Sequence, residues 1–313
     1  MTLQQLEYIM AVDTYRHFVT AAEKCFVTQP TLSMMIQKLE EELEVKIFDR
    51  SKQPVVPTEI GKIIIEHARL IAKETLTLRQ IVEEQKETIK GELHLGIIPT
   101  LAPYLTPLFI KYFSDTNPQI RLYISELTTE TMMKKLKEDT LDVGIMATPL
   151  EDKDLFEDPL FFEEFVVYAA QNEAILHKNY LMADDIDVNR LILLEEGHCM
   201  RAQIINLCEL KKATSMINNV HYEAGSIETL KKLIETYSGI TILPELAIKN
   251  FNEMQMKFVR YFKSPAPVRE ISLVTHRTFV KKRLIEALKK SIMNNLPASL
   301  KEKNPNLVLE IFN

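Results

Sequence analysis

A chain of 313 residues, 46% apolar and 26% charged, has the length for two or more domains and the apolar content to bury their cores. No apolar run approaches the ~18–20 residues of a membrane span, and the start MTLQQLEYIMAV has neither a basic n-region nor a small-residue cleavage site, so a cytoplasmic protein is expected. A net charge of −6 disfavours a generic nucleic-acid binder, and three cysteines without a CxxC or HExxH pattern exclude a disulfide framework and give no expectation of a metal or cofactor.

Residues 1–57 read as a small all-α domain with a wing. Phe18, Ala21, Ala22 and Cys25 recur at helical spacing, which makes Cys25 a packing residue. Thr28-Gln29-Pro30-Thr31 then offers an N-cap and a first helical turn that tolerates proline. The helix that follows carries Leu32, Ile36, Leu39 and Leu43 on one face, so the pair is a helix-turn-helix. Ile47 to Pro57 reads as a short extended wing. Opposite the leucines stand Pro30, Ser33, Met34 and Gln37. A recognition helix sets its first residues against base edges. Gln29, Ser33 and Gln37 are placed to meet bases, Lys38, Arg50 and Lys52 to meet phosphates, and Thr31 belongs to the same DNA-binding set; a merely solvated face has the same polar composition. Residues 1–62 hold seven basic against nine acidic side chains, a formal −2, so affinity must come from a few well-placed charges and several subunits.

Residues 58–90 read as one long helix. Ile64, Ala68, Ile71, Thr75, Leu78 and Val82 alternate steps of four and three, the 3.5-residue period of a coiled-coil seam. A dimerising linker fits that seam, with packing on its own domain as the competing reading. From Glu92 strands alternate with helices: Leu93–Ile98, Arg121–Glu126, Val143–Met146, Phe165–Ala169, Leu191–Leu194, Val220–Tyr222, Ile240–Leu243, Lys257–Tyr261 and Ile271–Thr275. This predicts an α/β domain over 91–313 with mostly parallel sheets and a crevice at the strand ends.

After the apolar run Leu191–Leu194 comes Glu195-Glu196-Gly197-His198-Cys199-Met200-Arg201, with helix from Gln203 onward. Cys199 therefore stands at or near a helix start, where the dipole and free N–H groups favour a thiolate. Arg201, and His198 if protonated, add positive charge, so Cys199 is expected to be substantially ionised near neutral pH. A buried inert cysteine is the competing reading, and position alone does not separate the two. Thr100 and Thr129 each follow a strand C-terminus, on the crevice side of an open sheet or as simple helix caps.

The run from Leu3 to Gly61 resembles the LysR-type DNA-binding domain. The matched positions are Phe18-x-x-Ala21-Ala22, Thr28-Gln29-Pro30-Thr31-Leu32-Ser33, Ile36-x-Lys38-Leu39-Glu40, Leu43-x-Val45, Phe48-x-Arg50 and Thr58-x-x-Gly61. Gly197-His198-Cys199-x-Arg201-x-Gln203, with Cys208 nine residues beyond Cys199, resembles the redox segment of the peroxide-sensing, OxyR-type branch of that family. Ala202 and Met200 stand where an acid and a leucine are common. The resemblance implies two periplasmic-binding-protein-like subdomains, about 91–162 plus 267–300 and about 163–266. It makes Cys199 peroxidatic and Cys208 resolving, sets Thr100 and Thr129 beside the peroxide, and assigns Arg269 to the thiolate. It also implies operator DNA, hydrogen peroxide, RNA polymerase and a thiol reductant as partners, and a homotetramer controlling antioxidant genes. Two other functions compete: a regulator that binds a small organic inducer in the crevice, and a thiol peroxidase, for which residues 1–90 would be superfluous.

Overall fold

The computed structural model describes residues 1–84, 89–208, 216–217, 220–222, 224–279, 281–301 and 308–309. It divides into two compact units, Met1–Glu87 and Thr88–Asn313. In the first, α1 (Leu3–Tyr15) starts from a capping box between Thr2 and Gln5, followed by α2 (Phe18–Lys24) and α3 (Gln29–Glu42). Their apolar faces meet in a core of Ile9, Val12, Ala21, Leu32, Ile36 and Leu39. Cys25 caps α2 and is half-buried against that core, and burial pushes its thiol up, as befits a packing residue.

The wing is a two-stranded antiparallel ladder, β1 (Phe48–Asp49) with β2 (Val56–Pro57). Glu40 of α3 fixes its base. That carboxylate is buried and accepts the Ile47 and Phe48 N–H groups at 2.8 and 3.3 Å. The Thr58-x-x-Gly61 pattern has a steric cause, since a Cβ at position 61 would lie 2.0 Å from the Ile47 carbonyl oxygen. Thr58 Oγ1 meanwhile accepts the Gly61 N–H at 3.0 Å.

The expected long helix is α4 (Glu59–Glu84). Its first turns pack on their own unit: Ala68 is buried and Ile64 lies against the α1–α3 core. Ile71 and Leu78 are 39% and 66% exposed, so the seam splits, its near half serving the domain core and its far half facing outward. The side chain of Val82 lies outside the described residues.

The second unit comprises β3 (Gly91–Ile97), α5 (Ala102–Thr116), β4 (Ile120–Glu126), α6 (Thr129–Lys137), β5 (Val143–Thr148), β6 (Leu155–Ala169), β7 (Tyr180–Leu181), α7 (Cys199–Leu207), β8 (Met216–Ile217), β9 (Val220–His221), α8 (Ile227–Thr236), β10 (Ile240–Pro244), α9 (Glu245–Ile248), α10 (Glu253–Met256), β11 (Val259–Phe262), β12 (Val268–His276), α11 (Lys282–Asn295) and α12 (Ala298–Lys301). The main sheet runs β4-β3-β5-β12-β6-β11-β7, with β10 also on β6. It is mixed rather than mostly parallel. β3 lies parallel to β4 and β5, whereas β12 is antiparallel to β5 and β6, and β6 to β10 and β11. The cause is topological: β6 carries the chain from one apolar core to the other and β12 brings it back. Phe161 belongs to the first core and Phe165 to the second, so β6 crosses between them within four residues.

Leu191–Leu194 is not a strand. All four residues are buried, and among the described residues Leu191 bridges to Ile240 and Leu194 to Ala224 without an assigned strand. Burial produced the apolar run there, without a ladder. No helix among the described residues is long and apolar enough to cross a membrane.

Candidate functional site

Cys199 is the first residue of α7 and His198 its N-cap. Gly197 precedes them at φ +92°, a left-handed conformation that glycine adopts freely. Cys199 is 7% exposed, and Thr129, Thr100 and Arg269 are also buried. Arg269 of β12 is the cross-strand partner of Glu163 on β6. Its Nε donates to Glu163 Oε2 at 2.9 Å and its Nη1 to Thr100 Oγ1 at 3.1 Å. The second Glu163 oxygen accepts the Leu246 N–H at 2.6 Å. Thr100 is thus held by the arginine and is not a helix cap. Nor is Thr129, since Thr128 caps α6 and bonds the Thr131 N–H. Thr129 Oγ1 makes no conventional hydrogen bond among the described residues, yet lies close enough to Cys199 to favour the thiolate.

The electrostatics differ from the sequence expectation. Burial is the largest influence on Cys199 and pushes its thiol up. The Arg269 charge, the Thr129 hydroxyl and the amides of Met200 and Cys199 pull it down without prevailing. Burial thus holds the resting thiol toward its neutral form, because a dry site penalises the anion more than one arginine and a helix start restore. His198 is no cationic neighbour either: burial lowers its pKa against the pull of Glu195, 3.8 Å away. Arg201 Nη1 donates to the Leu194 carbonyl at 2.6 Å and ties the first turn of α7 to the 191–194 segment. Cys208 caps the other end of α7, half-buried against the second core, with its thiol pushed up to about 11 by burial. All three cysteines are free thiols.

In the helix-turn-helix, Gln29, Pro30, Thr31, Met34, Gln37 and Lys38 are exposed along α3 and Ser33 is half-buried. Gln37 bonds Glu41 at 2.9 Å. Thr28 is at the N-cap position, but its hydroxyl pairs with Thr31 Oγ1 at 2.8 Å instead of capping the backbone. Arg50, on the wing, donates to Ser33 Oγ and Glu40 Oε2, both at 3.2 Å, and lies 5.1 Å above the Phe18 ring. These contacts hold the guanidinium beside the recognition face.

Residues 3–62 match the bacterial regulatory helix-turn-helix model of the lysR family, and residues 86–297 match the LysR substrate binding domain. The chain belongs to the LysR family. Among its LysR relatives, a hydrogen peroxide-inducible genes activator of Pectobacterium carotovorum subsp. carotovorum is 35% identical over 274 residues, 88% of this chain and 90% of that protein. Full-length OxyR of Pseudomonas aeruginosa, in a Cys-to-Asp variant, superposes with a TM-score of 0.72 at 32% identity, covering 95% and 99% of the two chains. A cysteine-to-serine variant of Corynebacterium glutamicum OxyR, H2O2-bound, matches at a TM-score of 0.59 and 27% identity, covering 94% of each chain. The family is one of DNA-binding regulators rather than enzymes.

The residue missed from the sequence of this LysR chain is Glu163, the buried counter-ion of Arg269. Its signal was present: Phe161, Glu163 and Phe165 share one face of β6 at period two, and an acid between two core phenylalanines needs a cation. The upward push of burial on Cys199 has a measurable consequence. Because the thiolate is the species that reacts with alkylating agents, the Cys199 alkylation rate should go on rising beyond the ordinary thiol midpoint. Linkage gives the same sign. The raised thiol supports the fold below the unfolded-chain value, and that support fades as pH climbs through the folded one. A plateau reached near pH 7 would contradict this.

Proposed function

We propose that this LysR regulator senses hydrogen peroxide through Cys199 and transmits the signal by a Cys199–Cys208 disulfide. The observation that carries the reading is the thiol at the start of α7, closed in with Thr129 and the Arg269–Thr100 pair. The peroxide-inducible naming of its relatives supports it. Cys199 Sγ attacks one peroxide oxygen, the O–O bond breaks, and the thiol proton leaves with the departing oxygen as water. The sulfenic sulfur is then attacked by Cys208 Sγ, and the hydroxyl departs with the second thiol proton as another water. Thr100 and Thr129 orient the peroxide, Arg269 steadies the developing anion, and Gly197, His198 and Arg201 shape the loop and first turn that present the thiol.

Residues 1–57 bind operator DNA, 58–90 dimerise, and 91–313 sense, the last as subdomains of about 91–162 plus 267–300 and about 163–266. Gln29, Thr31, Ser33 and Gln37 meet base edges, Pro30 and Met34 add apolar contact, and Lys38 and Arg50 meet phosphates. Replacing Arg50 with alanine should weaken binding to every DNA sequence and lower the salt slope by about one unit. Equal slopes for the variant and the parent chain would remove Arg50 from the phosphate contacts. The outward half of the α4 seam is the dimer contact, so Leu78→Lys should lower the mass in solution by burying an unpaired charge. A native mass would assign the dimer elsewhere. Two such contacts build a homotetramer that engages RNA polymerase at promoters of antioxidant genes, and a thiol reductant resets it.

The test is the DNA footprint of the reduced and peroxide-treated protein beside Cys199→Ser and Cys208→Ser. The oxidised parent should protect a re-spaced site, and both variants should keep the reduced footprint. A peroxide response surviving in Cys199→Ser would overturn the reading. A footprint that moved only with an organic effector would favour an inducer-binding regulator.

A further inference from the structure

The C-terminal residues Val308 and Leu309 lie against the thiol helix and the start of β12. The Leu309 N–H donates to the Val268 carbonyl at 2.9 Å, and Val308 and Val268 form a parallel bridge. Val268 is the residue before Arg269. The Leu309 side chain, 8% exposed, belongs to the same apolar core as Met200 and Ile204 of α7. Gln203 completes the contact. It is fully buried, and its Nε2 donates to the Leu309 carbonyl at 3.0 Å across 106 residues of chain. Gln203 stands four residues after Cys199 and so shares its face of the helix. Burying a whole amide is costly, and the Oε1 of this one has no partner among the described residues. Among the described residues, the one bond its side chain makes goes to Leu309.

We propose that Val308–Leu309 is a strap that stabilises the helical, reduced form of α7, with Gln203 as the positioning residue that fastens it, so that closing the disulfide requires the strap to let go. The proposal rests on the disulfide reading above. Cys199 and Cys208 stand at opposite ends of α7, and the bond between them forms only if the turns between them unwind. Gln203 lies in those turns. Unwinding carries its amide away from the Leu309 carbonyl and takes Met200 and Ile204 out of the core that buries Leu309. A contact present in only one of two states shifts the equilibrium toward that state. The strap therefore sets how oxidising the surroundings must be before the switch closes. Its anchor at Val268 places the released segment beside the strand that carries Arg269.

The experiment equilibrates the full chain, a chain ending at Leu307, and Gln203→Met with glutathione buffers. In the reaction, protein dithiol plus oxidised glutathione gives protein disulfide plus two molecules of reduced glutathione. Gln203→Met keeps the volume and removes the amide. Each variant should shift the equilibrium toward the disulfide, by about tenfold for loss of one buried hydrogen bond, equivalent to about 30 mV for this two-electron couple. Because both act through one contact, adding Gln203→Met to the shortened chain should change nothing further. Oxidation of Cys199 to the sulfenic acid, read in a Cys208→Ser background, should keep its rate, since the strap opposes the second step. General loosening of the fold would not shift the equilibrium while sparing that rate. An unshifted constant for Gln203→Met, or additive effects of the two changes, would overturn the strap. If the shortened chain does not fold, the full-length Gln203→Met result decides alone. A parent chain that forms no Cys199–Cys208 disulfide would overturn the switch reading and the strap with it. A parent that forms it, with unshifted variants, would overturn the strap only.

Discussion

Arg269→Met is expected to destabilise the regulatory unit by about 3–5 kcal/mol, the usual cost of stripping one partner from a buried ion pair. The pair is fully buried on both sides, at 2.8 Å between Arg269 Nη2 and Glu163 Oε2. Without the guanidinium, the Glu163 carboxylate keeps, among the described residues, the Leu246 N–H alone, and Thr100 Oγ1 loses the Arg269 donor. The double variant Arg269→Met/Glu163→Leu should recover most of the loss, because well-packed apolar residues often replace a buried pair at little cost. Both would nevertheless react more slowly with peroxide. Arg269 is the foremost influence opposing the upward push of burial on Cys199, so its removal leaves the thiol still harder to ionise. Urea unfolding measures the first effect and the rate of thiol loss to peroxide the second. A single-variant cost below about 1 kcal/mol would place the pair outside the structural core of the site.

Oxidation is expected to unwind α7. The helix spans Cys199–Leu207 with Cys208 as its cap. Nine residues at ~1.5 Å each separate the two ends by about 13.5 Å. A disulfide requires Cα atoms about 4.4–6.8 Å apart. The helix and the bond are therefore incompatible. Ile204 is buried, and Ile205, Leu207 and Cys208 pack against the same core. Each large apolar side chain stripped from a core costs about 1.5–3 kcal/mol, so the covalent bond works against several such terms and the product state must find new burial. Amide exchange should show this as lost protection from Gln203 to Cys208 in the oxidised form, with α3 and β3 unaffected. Protection retained through that stretch would mean that the disulfide, if present, joins different partners.

The sequence carried the winged helix-turn-helix closely, for local reasons. Apolar spacing set α2 and α3, and Thr58-x-x-Gly61 encodes a contact in which a Cβ would collide with Ile47. A helix start near Cys199 was legible as well, since the change from Leu191–Leu194 to Gly197-His198 punctuates the chain, although the helix begins at Cys199 and not at the expected Gln203. What sequence could not carry was depth. A helix N-terminus argues for a thiolate only while solvent is near, and position alone left a buried Cys199 as an equal alternative. The same blindness hid the neutral state of His198. Strand direction was misread because alternating strands and helices do not reveal that β6 and β12 cross between two cores. Glu163 went unread because its cation lies 106 positions away, on a strand whose register is fixed only by folding. The tail was opaque for a similar reason: Leu309 is one apolar residue whose partner, Gln203, is polar.

Brief treatment with stoichiometric hydrogen peroxide, followed by alkylation and mass analysis of the intact chain and its peptides, tests the central claim most directly. The account predicts a chain lighter by the mass of two hydrogen atoms, with Cys199 and Cys208 linked and closed to alkylation and Cys25 still open. Equal alkylation of Cys199 before and after peroxide, or oxidation falling on Cys25 instead, would contradict it.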